Sequence, residues 1–146
     1  MSAAPAVGLS LPSPILATNE AIEQKPEAVQ QYVNTVVEAM QWINDDSNRD
    51  ELNEIYYNLC IDEGVSISEE ACDWAMDIHH VPTVEELEAL LEVNPDTGLN
   101  GFQEQVDRVM SFLIRAGLYE ESQREAVLSA INVDFIEQAI AAYKAE

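Results

Sequence analysis

Two cysteines, two adjacent histidines and a few acidic turns are the residues of this 146-residue chain whose types and spacing could do chemistry. Cys60 and Cys72 match neither a CxxC pair nor half of a zinc finger, which argues against redox-motif or metal chemistry. Cys60 lies four residues before Gly64, and Cys72 lies four residues after Ser68. An antiparallel helix hairpin turning between them would place both about one turn from the bend, on facing sides. Cα atoms about 5.5–6 Å apart would then permit a disulfide, so Cys60 and Cys72 are a candidate bridge. The alternative is two reduced thiols packed as small hydrophobes. His79 and His80 stand near Glu85 and Glu86, but neighbours on a helix diverge by about 100° and do not easily face one ion. Asp96, Asn100, Gly101 and Asp107 fall in an EF-hand-like frame. A glycine at its third position and an aspartate where a bidentate glutamate belongs favour an ordinary polar turn. The acidic run from Asn44 to Glu51 fits that frame still less well. No metal site and no cofactor is expected.

No HExxH, Gly-rich phosphate loop or GxSxG occurs. With 28 acidic residues any two carboxylates look paired by chance, so no catalytic residue is assigned and a non-enzymatic role is expected. The formal charge is −22, with only six Lys and Arg. Such a surface repels phosphate backbones and anionic lipid, so neither nucleic-acid binding nor membrane insertion is expected. It suits solubility in salt, where screening relieves self-repulsion. No apolar run approaches the roughly 20 residues of a membrane span. The proline-broken start, MSAAPAVGLSLPSPIL, lacks the basic region of a secretion signal. Taken as written, the chain is expected in the cytoplasm.

The elements that must position these residues are helical, and the length suits about one domain. The expected organisation is an extended or strand segment over residues 1–25 and a helical domain over 26–146, with about six helices. Ile15-Leu16-Ala17 is the one candidate strand, and a lone strand needs partners for its backbone groups. Pro26 suits a first helical position. Val29, Tyr32, Val33, Val36, Val37, Met40 and Ile43 follow at helical spacing and predict one apolar stripe. Ser47 with Asp50 predicts a second helix start, with Leu52, Ile55, Tyr56, Leu59 and Cys60 inward and Gly64 as terminator. Ser66 with Glu69 and Thr83 with Glu86 read as capping boxes for two further helices. The turn-rich stretch 94–101 precedes a helix with Phe102, Val106, Val109, Met110 and Leu113 inward, closed by Gly117. Asp134 reads as the N-cap of the last helix, which turns Phe135, Ile136, Ala139, Ile140 and Tyr143 inward. Trp42, Trp74 and the tyrosines lie on or beside these stripes and are expected in the core.

ILATNEAIEQKPEAVQQYVNTVVEAMQWIND, through Ala17, Asn19, Ile22, Pro26, Glu27, Ala28, Val29, Ala39 and Trp42, resembles the opening of the C-terminal part of a known family. That family is the substrate-binding proteins of ABC importers, of the nitrate/sulfonate/taurine and thiamine-pyrimidine-precursor type. GFQEQVDRVMSFLIRAGLYEE and INVDFIEQAIAAY resemble its later helices. The resemblance implies the C-terminal portion of a two-lobed, periplasmic-binding-protein-like α/β fold, without the first lobe. It implies a small organic or oxyanion-type nutrient as ligand, a membrane permease as partner, and a periplasmic or extracytoplasmic location. Its motifs assign no ligand-binding residue. A stand-alone acidic helical interaction module is the rival expectation.

Overall fold

The computed structural model describes residues 14–145. Eight α-helices follow one another among them: α1 (Asn19–Gln24), α2 (Pro26–Asn44), α3 (Arg49–Asp62), α4 (Glu69–Ile78), α5 (Val84–Ala89), α6 (Gly101–Arg115), α7 (Arg124–Ser129) and α8 (Asp134–Lys144). Short 3-10 turns at Asp46–Asn48 and Glu121–Gln123 lead into α3 and α7. The protein is therefore mainly α. An isolated antiparallel bridge joins Val93 to Asn100, and no strand forms among the described residues.

The candidate strand is a correction. Residues 14–18 are irregular, and Thr18 starts a helix where extended chain is expected. Its Oγ1 accepts from Ala21 N at 3.1 Å, which satisfies one of the free donors at the helix start. An extended Ile15-Leu16 would have left its backbone groups unpaired, whereas the cap is local. Residues 1–13 of the expected leader lie outside the described residues.

Several helix boundaries have a local cause. Pro26 occupies the first position of α2. Thr83 and Glu86 cap α5 reciprocally, at 3.2 and 2.9 Å. Asn100 and Gln103 do the same for α6, at 2.9 and 3.1 Å. Three caps move by a few residues from their expected places. Asp45, not Ser47, accepts at the 3-10 turn before α3. Ser68, not Ser66, caps α4. Asn132, not Asp134, accepts from the first amide of α8. In each case a short oxygen-bearing side chain nearby competes for the same orphan amides. Gly64 and Gly117 adopt φ of 75° and 73° after α3 and α6, the left-handed stop that a side chain would strain.

The core sits where α2, α5 and α8 meet. Val33 and Val37 of α2, Val84 and Leu87 of α5, and Ala139 and Ile140 of α8 are buried together. Met40, Leu91, Phe102, Phe135 and Ile136 pack around them. α8 lies along α2, and α5 crosses onto α8. Gln41 locks this corner: its Oε1 accepts from Val84 N at 3.1 Å and its Nε2 donates to Pro82 O at 3.3 Å. Phe102 brings α6 to the core, and the α5–α6 turn is tight. Gly101 N donates to Leu90 O at 2.9 Å, and a Cβ at Gly101 would stand 2.7 Å from Leu90 Cδ2 and 2.9 Å from Leu90 Cα. Only glycine permits that approach.

The scarce cations staple helix pairs. Arg49 ties α3 to α4 through Asp73 and Asp77. Arg124 at the start of α7 holds Asp107 of α6 and Glu121. Lys144 ends α8 on Glu88 of α5 at 2.5 Å. All three lie at or near the surface, where such pairs orient more than they stabilise.

Candidate interaction surface

α3 and α4 form an antiparallel hairpin that packs on itself and only sparsely on other helices. Its inner seam carries chemistry of three kinds. At the open end, Arg49 donates from Nε to Asp73 Oδ1 at 3.0 Å and from Nη2 to Asp77 Oδ1 at 2.6 Å. Asn53 Nδ2 adds a donor to Asp73 Oδ1 at 3.0 Å. Asn53 and Arg49 together hold the Asp73 carboxyl below its ordinary range. Midway, the Cys60 sulfur beside Tyr56 pushes the phenol's pKa up. Near the bend, Cys60 and Cys72 are both buried.

The structure thus places Cys60 and Cys72 on facing helices near the bend, as free thiols. Burial, then the neighbouring Cys60, raises the Cys72 pKa and keeps it protonated. A buried, protonated thiol is a poor nucleophile.

The outer faces of the hairpin depart from expectation. Ile55 and Leu59 belong to the stripe predicted inward, yet they are 51% and 55% exposed. Trp74, expected in the core, is 61% exposed, and Ile78 beside it is also exposed. Tyr32 on α2 is exposed as well. The cause is shared: helical spacing aligns apolar residues on a face, but a face is buried only where another element lies against it. α3 spends its covered side on α4, through Arg49, Asn53, Tyr56 and Cys60. Leu59 is offset from Cys60 by about 100°, and Ile78 from Cys72 by about 120° in the same rotational sense. In an antiparallel pair that puts Leu59 and Ile78 on one side of the hairpin, with Ile55 and Trp74, about 140° and 160° round from the two cysteines, leaning to that side from the outer backs of α3 and α4. A smaller apolar group, Phe112, Leu118 and Tyr119, is exposed at the end of α6.

The remaining candidates resolve into structural roles. His79 Nδ1 meets Ala75 O at 2.7 Å within its own helix end, and His80 Nε2 reaches Glu86 at 3.0 Å. The two rings take different partners, and no cluster able to hold a metal occurs among the described residues. In the 94–101 turn, Glu104 accepts from Asn94 Nδ2 at 2.7 Å and from Thr97 Oγ1 at 3.0 Å, while Asn100 caps α6. The turn's polar groups satisfy one another. Asp107, the frame's last ligand, is held by Arg124.

An open groove of about 620 Å³ lies between the starts of α2 and α8, lined by Pro26, Glu27, Gln30, Phe135 and Asp134 among others. Gln30 Nε2 donates to Phe135 O at 2.9 Å and Asn34 Oδ1 at 2.8 Å, leaving its buried Oε1 without a partner. Glu27 and Asp134 make the groove unfavourable for an oxyanion. Sequence reading missed it, because Gln30 and Phe135 are over a hundred positions apart.

Among the described residues no helix is long and apolar enough to cross a membrane. Neither a protein-family model, nor a curated protein, nor a solved structure matches this chain.

Proposed function

We propose that this chain is an acidic helical protein-interaction module that uses the outer side of the α3–α4 hairpin to hold a partner. One observation carries the reading. The chain exposes 10668 Å², against roughly 7450 Å² for a compact monomer of its 16.2 kDa mass. Granting the fourteen undescribed residues the full exposure of an unfolded chain, about 160 Å² each, still leaves an excess on the order of 1000 Å². A standard interface buries about 800 Å² per partner. Large apolar side chains on a sparsely covered hairpin are where such an excess belongs.

A photo-crosslinking residue at position 74 in the full-length protein, expressed in its native cells, tests this. The reading expects a discrete crosslinked polypeptide from position 74 and none from the exposed control position Glu20. Crosslinks from neither position, or equally from both, would overturn it.

A second reading keeps the resemblance to ABC-importer solute-binding proteins. It is favoured by Ile15 and Leu16, which are exposed with no strand among the described residues to join; in that reading the uncovered helix faces would shield sheets from a further lobe. The same crosslink decides: a captured α/β lobe or importer permease points to this reading, and any other discrete polypeptide to the first.

A further inference from the structure

We infer that the partner of the α3–α4 face is a cationic amphipathic polypeptide segment, presenting apolar anchors flanked by lysines or arginines. This rests on the interaction-module reading and names its partner's chemistry. The face has two halves. Ile55, Leu59, Trp74 and Ile78 supply exposed apolar area, with a tryptophan, the side chain most enriched at binding hot spots, among them. Around them stand carboxylates one turn away: Glu51 before Ile55, Asp62 after Leu59 and Glu70 before Trp74, all exposed.

From Asp45 to Asp77 the chain carries eleven carboxylates and one cation, Arg49. Arg49 is already engaged by Asp73 and Asp77. The face therefore holds uncompensated negative charge around an apolar strip. A second copy would bring the same charge to the same place, and like charges set opposite each other at an interface disfavour association by several kcal/mol. An anionic membrane is repelled for the same reason. A helix with apolar residues on one face and basic residues at its margins satisfies both halves at once, as helix-in-groove recognition does.

The test is fluorescence-anisotropy titration of the full chain with a labelled 18-residue peptide of leucine and lysine, patterned as an amphipathic helix. Two controls replace every lysine by glutamate, or every leucine by serine. The inference expects saturable one-to-one binding of the leucine–lysine peptide at 0.15 M salt, weakened by raising salt. It expects no binding of either control. The double variant Leu59→Ser/Trp74→Ser should bind at least ten-fold more weakly, and Phe112→Ser on the other exposed patch should bind as wild type does. Circular dichroism confirms that each variant is folded, and because all these side chains are exposed, folding should survive. No binding, binding undiminished by the double variant, or binding of the glutamate peptide would overturn the inference. So would a dimer, seen by sedimentation, that the double variant dissolves. A discrete crosslink from position 74 without binding of the basic peptide would leave the module reading standing and remove only this partner.

Discussion

The α2–α5–α8 corner and the α3–α4 hairpin are built from helices of similar apolar content, yet one buries its stripes and the other displays them. In the corner, Val37 is fully buried, and Val84, Leu87, Ala139 and Ile140 are at most 4% exposed. Three helices meet there, so most of each stripe finds a cover, Tyr32 of α2 and Tyr143 of α8 excepted. The hairpin has two helices and two stripes, and each helix covers the other only along the Arg49–Asn53–Cys60 seam. The polar content of that seam makes the difference sharper. Where the corner is closed by methyl groups, the hairpin is aligned by an arginine and two aspartates near solvent, an arrangement that sets register but contributes little stability. The lesson is that this protein invests its stability in one region and leaves the other able to present surface.

The comparison can be broken by substitution. Leu87→Ala should have the largest effect, destabilising by about 3 kcal/mol, since it empties a site between α5 and its neighbours. Urea unfolding followed by circular dichroism measures it, and a loss under 1 kcal/mol would mean the corner is not the core. Gly101→Ala should follow, at about 1–3 kcal/mol, because its new Cβ meets Leu90 backbone as well as side chain and α5 must shift. The same unfolding curves report this, and an unchanged midpoint would mean that the close approach of α5 to α6 is not maintained in solution.

On the hairpin, Leu59→Ser and Trp74→Ala should each change stability by less than about 0.5 kcal/mol, the range of surface substitutions, despite removing large apolar groups. A loss above 1 kcal/mol at either would show that the face is covered within the monomer. The smallest effect is electrostatic. Asn53 and Arg49 depress the Asp73 pKa in the folded state. A depressed carboxylate stabilises the fold above its ordinary value near 3.9 and loses that contribution as pH falls through the lower, folded value. NMR titration of Asp73 should therefore give a midpoint below that of a free aspartate, and Arg49→Gln should move it upward. An unchanged midpoint in the variant would show that Arg49 does not hold Asp73 in solution.

Much of the helical framework was legible beforehand. Pro26, Thr83 with Glu86, Gly64 and Gly117 mark boundaries through forces acting within four residues of themselves, and all four stand at the element ends expected of them. The caps at Asp45, Ser68 and Asn132 were displaced because several short polar side chains sit close together there, and the choice among them depends on the exact path of entry. The hairpin bringing Cys60 and Cys72 to facing helices was also readable, since its two arms adjoin in sequence. Gln30 meeting Phe135, Arg124 meeting Asp107 and Gly101 meeting Leu90 were not, because nothing local in those residues specifies the neighbour.

What this sequence determined by itself is where helices begin and end and which of their faces are apolar, because capping and periodicity are short-range. Which apolar faces are covered was decided only in the tertiary structure. Val33 and Val37 on α2, and Ile55 and Leu59 on α3, share the same four-residue spacing and the same greasiness. The first pair meets α8 and disappears from solvent, while the second keeps about half its surface in solvent, because burial depends on what lies across from a side chain and not on the chain that carries it.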